Sequence, residues 1–565
     1  MISFICVRLL NNIIVVDEKG VIGVEDISPR KKDQVINIAI HTLEDNKQLL
    51  IFNNSKNSSE ATAERVALAI ENVADKEYLE GLSAKIMKVL STPTKQCRRL
   101  AKCIEKGVAF HHSGLVGKQR TLIEKGFKEG YIKIISSTPT LAAGLDLPAY
   151  KVLVKDYKRY SPRGFNDIPV LEYHQMAGRA GRPGFEDHGK SVVYIKDESE
   201  LDRVVNKYIN GRPEEIISKL AVEPTLKMYL LSLISMDVIN TREEIESFFA
   251  NTLYGHQYQD SEGLNRTLFR IIDILKDYSF VIQEDQFYMA TSMGRKVSHL
   301  YLNPDTANYF LTYFDELKSR FVRENVSKHD LYALIQFICS TMEMRPLFRV
   351  NKKEEEEYMQ RMEDYADDLI EEYDPFEIDY LSFAQTLKTA DILYDWIMEA
   401  PEDYIVEKYS ITPGELNYKN EVIDWLLYCL EEFSLLKKQY YLKNYFNKLR
   451  IRFRNGVKKE LISLVSLKGI GRARARKLYN SDIKTHSDIR VCDFSTLSRL
   501  LGDKLAISLK EQVLGEKVSD KKLKEKPKEI LQREVTDKEV DVIVDHTVSF
   551  EREKEKKQQK LTDFF

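Results

Sequence analysis

The sequence predicts a multidomain protein with a parallel-sheet α/β domain first, mainly α-helical domains next and a disordered tail. Three observations predict this order. Residues 1–198 alternate short β-branched runs with helix-like stretches, the pattern of a sheet covered by helices. Residues 199–445 carry apolar side chains at three- and four-residue spacings, with one hairpin-like interruption. From about residue 511 dense mixed charge replaces aromatic residues, a composition that cannot bury a core. A chain of 565 residues exceeds one core, so about three to five domains are expected.

Bulk composition narrows the function. Hydrophobic residues make up 43% and charged residues 31%, an ordinary soluble balance. The net charge of −3 excludes a bulk positive field, so any nucleic-acid contact must come from local basic surfaces. The longest apolar runs, such as "NIIVV", are too short to span a membrane. "MISFICVRLL" lacks the apolar length and cleavage pattern of a signal peptide. The cysteines at 6, 97, 103, 339, 429 and 492 form no C-x-x-C pair. Neither zinc nor a disulfide framework is expected, and a reducing cytoplasm is.

In chain order, "QLLIF" (48–52), "VAFHH" (108–112), "IKIISS" (132–137), "KVLVK" (151–155) and "SVVYI" (191–195) read as strands. "ATAERVALAIENV" (61–73) and "GKQRTLIEKGFKEG" (117–130) read as amphipathic helices. Residues 199–300 are helical apart from "FVIQEDQFYMA" (280–290), and helices followed by a short hairpin suggest a winged helix. Residues 301–445 read as a helical bundle interrupted by the acidic run "KKEEEEYMQRMEDYADDLIEEYD". Residues 446–510 are basic and helical, and 511–557 read as a charged linker.

Residues 175–191, "QMAGRAGRPGFEDHGKS", hold two nucleotide signals. "GFEDHGKS" fits G-x-x-x-x-G-K-[ST], yet a phosphate loop leaves a strand and opens a helix. Here a helix precedes and a strand follows, so the match is expected to be chance. "NIIVVDEKG" (12–20) imitates the Asp-Glu of a magnesium site, but Asp17 to Gly20 is also an ordinary hairpin turn, and no phosphate loop precedes it. "QMAGRAGR" instead fits Q-x-x-G-R-x-G-R, motif VI of superfamily 2 helicases. It would set Gln175, Arg179 and Arg182 along one helix, with the arginines able to reach a γ-phosphate held by a neighbouring domain. "SSTPTLAAGLDLPA" (136–149), "AFHHSGL" (109–115) and "LLIFNNSKNSSE" (49–60) resemble motifs V, IVa and IV in order.

With "YINGRPEEIISKLAVEPTLK" (208–227), "DWIMEAPEDYIVEKYSITPGEL" (395–416) and "SLKGIGRARARKLYN" (466–480), the chain after about residue 35 resembles the archaeal HelQ-type DNA repair helicases of the Ski-like branch of superfamily 2. The resemblance implies a second RecA-like domain (1–198), a winged helix (199–300), a ratchet bundle (301–445) and a helix-hairpin-helix (446–510). It implies ATP and Mg2+ shared with a first RecA-like domain. No phosphate loop for that domain stands before residue 35, where the opening residues resemble a join between two motor domains. Whether that half is a separate chain, a loss or a misassigned start stays open. Thr138 would touch a DNA phosphate alongside Ser55, Lys56, His112 and Ser113. Gly144 would allow close backbone approach, and Asp146 would lie near the nucleotide ribose. Residues 156–173 would form a strand-splitting hairpin worked by Tyr157, Arg159, Tyr160 and Phe165, against the alternative of an ordinary surface loop. Helix 416–432 would cross the unwound strand, with Trp425 either stacking on a base or serving as core.

The L-x-G-I-G core at 467–471 reads as a helix-hairpin-helix, with Gly469 and Gly471 exposing amides to a phosphate and Arg472, Arg474 and Arg476 adding charge. The last eight residues, "QQKLTDFF", fit the sliding-clamp (PCNA) box through Gln558, Leu561, Phe564 and Phe565. The expected activity is the C-terminal part of an ATP-dependent 3′–5′ helicase acting on single-stranded and forked DNA, with a nucleoid-associated cytoplasmic location. This chain alone would hydrolyse little ATP. A DNA-binding and clamp-binding adaptor with a vestigial motor domain, or an RNA helicase of the same branch, are the rivals.

Overall fold

β-branched runs flanked by turn residues become the strands of one extended sheet. The computed structural model describes residues 2–515, except 10–11, 18–19, 27–30, 72–74, 91–92, 143–146, 162–163, 182–188, 196, 259, 322–325, 366–367 and 372–378. Gly144, Asp146, Arg182 and the clamp box residues Gln558, Leu561, Phe564 and Phe565 therefore lie outside the described residues. The chain divides into two units, residues 1–216 with 402–417, and residues 217–401 with 418 onward.

The first unit holds strands β1 (Ile2–Leu9), β2 (Asn12–Asp17), β3 (Gly20–Asp26), β4 (Leu49–Phe52), β5 (Val108–His111), β6 (Ile134–Ser137), β7 (Lys151–Val154), β8 (Lys158–Ser161), β9 (Gly164–Asp167) and β10 (Gly189–Tyr194). The main sheet runs β3-β2-β1-β10-β7-β4-β6-β5. From β1 through β5 every neighbouring pair is parallel, and β1-β2-β3 form an antiparallel meander. Strands β4 to β7 are buried along their whole length, as a sheet covered on both faces requires. Each was expected from its sequence. The opening residues differ from expectation: they extend the sheet edge, and Asp17 pairs with Gly20 in the hairpin that the "DEKG" reading allowed. The helix expected at 61–73 is Lys56–Ala69, because the Ser55 side chain accepts from Ser58 N–H and starts it earlier. The unit also runs past the expected boundary at 198 and recruits the helix Glu402–Tyr409 from the expected bundle.

In the second unit the helices Glu223–Ser235, Arg242–Ala250 and Ser261–Asp277 precede an antiparallel hairpin, β11 (Val281–Glu284) and β12 (Phe287–Ala290). A bridge from Thr241 to Phe287 ties the hairpin back to the second helix. One hydrophobic core runs from Leu226 to Phe453, so the expected boundary near residue 300 does not separate two cores. A smaller core from Val457 to Val513 serves the last helices. The acidic run is partly a docked helix, Glu355–Tyr365, whose Arg361 pairs with buried Asp391. Among the described residues no helix is long and apolar enough to cross a membrane.

Candidate nucleic-acid and nucleotide-facing site

Parallel strands place the residues that follow them at one edge of a sheet, where open α/β folds bind ligands. Ser55 and Lys56 follow β4, His112 and Ser113 follow β5, Thr138 follows β6, and the β8–β9 hairpin follows β7. The sequence-predicted polynucleotide contacts of this unit thus share its carboxyl edge. Asn53, fully buried, donates to the Ser136 hydroxyl at 2.9 Å and accepts from Thr62 at 3.0 Å. Lys155 Nζ joins Asn53, Ser58 and Asp156. These bonds fix the turn that presents exposed Ser55 and half-buried Lys56. Lys56 Nζ meets Glu415 Oε1 at 2.6 Å.

Two expected contacts are corrected. His112 has no exposed surface; its Nδ1 accepts from Gly114 N–H at 3.1 Å, so Nε2 carries the proton toward Glu60, 3.1 Å away. Glu60 is also held by Gln96 at 2.6 Å and by Arg99. Burial pushes the Glu60 carboxyl up, but the bonds from His112 and Gln96 and the Arg99 charge prevail and hold it below its usual value. His112 is a buried strut, and exposed Ser113 beside it is the open group. The neighbouring His111 bonds Glu124 at 2.9 Å; burial lowers its imidazole pKa against that carboxylate's pull. Tyr157 is the second correction. Its ring is 5% exposed and packs against Tyr208, with Arg203 over its face, so it anchors the hairpin base. In the hairpin ladder Tyr160 lies opposite Phe165. Arg159 pairs with Glu172, and Thr138, 9% exposed, bonds the Thr140 hydroxyl at 2.9 Å.

The arginine-finger segment lies elsewhere. Helix Val170–Ala177 exposes Gln175 and ends before Arg179, so Gln175 and Arg179 are on a helix and its following turn rather than along one helix. Arg179 Nε donates to the Ala142 carbonyl at 3.1 Å, and Nη2 donates to the same oxygen. Ala149 bridges Ala180 just before β7 begins, which puts the Arg179 backbone at the amino edge of the sheet. Residues 138–142 therefore link Thr138 at the carboxyl edge to the carbonyl that holds Arg179. A Cβ on Gly189 would lie 2.2 Å from Gly181 N, so only glycine fits this crossing. Lys190 and Ser191 stand in β10, with Ser191 fully buried. Among the described residues the G-K-S stands in a strand, where a phosphate loop would open a helix.

The helix Pro413–Leu436, which from residue 418 onward belongs to the second unit, carries Trp425, half-buried, with its indole N–H bonded to the Leu300 carbonyl at 3.2 Å and its ring against the core. The core alternative fits it better than a free stacking platform. Lys419 is buried and donates to the Met344 carbonyl. Sequence reasoning passed over Tyr418, which is 50% exposed and lies two helical turns before Trp425. That seven-residue spacing was the available signal. Tyr428 lies a turn beyond Trp425, under the Arg450 guanidinium at 4.6 Å.

In the C-terminal core Gly469 has φ +91 and Gly471 precedes helix Arg472–Tyr479. Arg474 is exposed. Arg472 and Arg476 are corrections. Arg472 stacks on Trp396 at 4.8 Å, and Arg476 is bound by Glu399 at 2.7 Å and Glu460 at 2.9 Å. The upstream basic run is engaged too. Arg450 and Arg454 pair with Asp424, and Arg452 is buried and bonds the Val457 carbonyl.

A family described as "Helicase conserved C-terminal domain" matches residues 30–184, and "Archaeal helicase, domain 4" matches residues 332–456. The chain is 34% identical over 496 residues to the ATP-dependent DNA helicase Hel308 of Methanocella arvoryzae, covering 86% of this chain and 65% of that protein. Similarity to the proteins of the same name from Caldivirga maquilingensis and Pyrococcus abyssi is also 34% identity, over 85% and 81% of this chain. The chain spans 65% and 62% of those two relatives. Homologues named "ATP-dependent DNA helicase Hel308" thus match most of this chain.

Proposed function

We propose that this chain is the strand-gripping, arginine-finger part of an ATP-dependent 3′–5′ DNA helicase of superfamily 2, unwinding forked or branched DNA in replication-linked repair. The observation that carries the reading is the short segment 138–142, which runs from Thr138 at the carboxyl edge to the Ala142 carbonyl that holds Arg179. A movement of the finger on nucleotide binding would reach Thr138 through one short segment. Arg179, with Arg182, would stabilise charge on a γ-phosphate presented by a first RecA-like domain, with Gln175, Gly144 and Asp146 beside the nucleotide. Mg2+ would be held with ATP by that other domain. Ser55, Lys56, Ser113 and Thr138 would hold DNA phosphates, and the hairpin tip, with Arg159, Tyr160 and Phe165, would stand at the fork.

The four helices Glu223–Ser235, Arg242–Ala250, Leu253–Tyr258 and Ser261–Asp277, followed by the 281–290 hairpin, support a winged helix, and Gly469 with Gly471 supports a helix-hairpin-helix. Tyr418 is added as a base-stacking side chain. The tail 558–565 would dock on the sliding clamp.

The test is ATP hydrolysis with single-stranded DNA, by the chain alone and with a first RecA-like domain from the same source. Activity that needs the added domain and falls by about 10³ or more in Arg179→Ala supports the reading. No activity in either case, with DNA and clamp binding intact, would make the chain an adaptor. Stronger competition by RNA than by DNA would move the substrate to RNA. Removing residues 558–565 is expected to abolish clamp binding and leave DNA affinity unchanged.

A further inference from the structure

The lysine expected to hold a DNA phosphate already holds a carboxylate. Lys56 is the first residue of its helix, and Glu415 Oε1 lies 2.6 Å from its ammonium. The carboxylate belongs to a segment, 402–417, that folds with the first unit. Its placement is built rather than incidental. Glu415 Oε2 accepts from both Thr412 N–H and the Thr412 hydroxyl at 2.8 Å, capping the helix Pro413–Leu436. Gly414 N–H donates to the Gly114 carbonyl at 3.0 Å, and a Cβ on Gly414 would lie 2.4 Å from the Ser113 carbonyl. The turn 412–415 thus lies against Lys56 and against the backbone beside Ser113, two of the groups expected at the strand.

We propose that Glu415 is a built-in competitor for the Lys56 phosphate site, so that this site opens to a phosphodiester only when the 412–415 turn withdraws its carboxylate. The inference rests on the proposed role of Lys56 as a phosphate contact. A carboxylate and a phosphate oxygen make the same charge-assisted bond to an ammonium, so the two occupants exclude each other at one Nζ. Lys56 and Glu415 are 30% and 38% exposed, so the pair is within reach of an incoming strand. Glu415 caps the same helix that carries Tyr418 one turn on. Release of the carboxylate and a change at the start of that helix are therefore linked events.

The experiment is anisotropy of a labelled oligo-dT strand of about 20 nucleotides with the whole chain, titrated across salt. Each phosphate contact on a single strand adds about 0.7 to the salt slope, or about fivefold in affinity at 0.1 M salt relative to 1 M. Glu415→Gln keeps the side-chain length and an acceptor for Thr412 N–H. It is expected to tighten binding about fivefold and steepen the slope by about 0.7. In the Lys56→Ala background Glu415→Gln is expected to give no gain, so the double variant binds as Lys56→Ala alone does. Glu407→Gln, the same charge change at an exposed position of the same segment, controls for bulk charge.

An unchanged or weakened Kd in Glu415→Gln, or a gain that survives Lys56→Ala or is matched by Glu407→Gln, overturns the proposal. Absence of DNA binding by the unaltered chain overturns the underlying reading as well, which separates the two failures. Hydrogen exchange at the Gly414 amide, expected to stay protected in Glu415→Gln, shows that the turn still folds.

Discussion

Replacing His112 by alanine separates a buried strut from a phosphate contact. The ring has no exposed surface, stacks on Phe110 and donates to a carboxylate that is itself 6% exposed. Losing a hydrogen bond to a charged group costs about 1.5–3 kcal/mol, and truncating a fully buried ring adds a cavity. A total of at least about 3 kcal/mol is expected, a factor of about 150 in the opening equilibrium. Both tryptophans, Trp396 and Trp425, belong to the second unit, so their fluorescence is blind to this loss. Hydrogen exchange at the amides of β4 to β6 reads it directly.

The same variant should become more acid-sensitive. The Glu60 carboxyl is held below its usual value in the folded chain, so its stabilisation is complete above the unfolded pKa and is lost as pH falls through the folded one. Without His112 one of the bonds that lowers it is gone, and acid unfolding of this unit moves to higher pH. The salt slope for single-stranded DNA should not change. Intact exchange protection with a slope reduced by about 0.7 would refute the burial argument and return His112 to the strand.

Other positions give sharper contrasts. Gly189→Ala would force a Cβ against the Ala180 and Gly181 backbone; a cost of about 2–3 kcal/mol and a fall of about 5–10 °C in the melting of the first unit are expected by calorimetry. Tyr418→Ala should leave stability within about 0.5 kcal/mol and weaken single-strand binding by about 1–3 kcal/mol in anisotropy, while Trp425→Ala should lower the urea midpoint of the second unit, read through Trp396. Arg474→Ala should reduce the salt slope by about 0.7–0.9, whereas Arg476→Ala should leave the slope alone because Glu399 and Glu460 already neutralise that guanidinium.

The sheet was legible because its strands are buried on both faces and bounded by turn residues, so short apolar runs such as "LLIF" and "VLV" have few other homes. The chance phosphate loop was legible for the same reason: "SVVYI" had to be a strand, and a strand at G-K-S leaves no helix to face an anion. Unit boundaries were less legible. The segment 402–417 sits inside a helical stretch by composition, and long-range contacts such as Gly414 on Gly114 and Glu415 on Lys56 place it with the α/β unit.

Side-chain availability was the least legible property, and the reason is physical. A sequence shows where a charge is attached but not what neutralises it. In "RARAR", three arginines with the same local spacing have three fates set by distant residues. Trp396 takes Arg472, Glu399 and Glu460 take Arg476, and Arg474, exposed, donates to the Gly469 carbonyl at 2.9 Å. Lys56 and Glu415 are 359 positions apart, so no local pattern connects them. A motif match therefore identifies which backbone positions face a ligand, while the number of charges open to it is decided by folding. For this chain that number is smaller than its basic runs suggest, and Glu415 makes part of it depend on conformation.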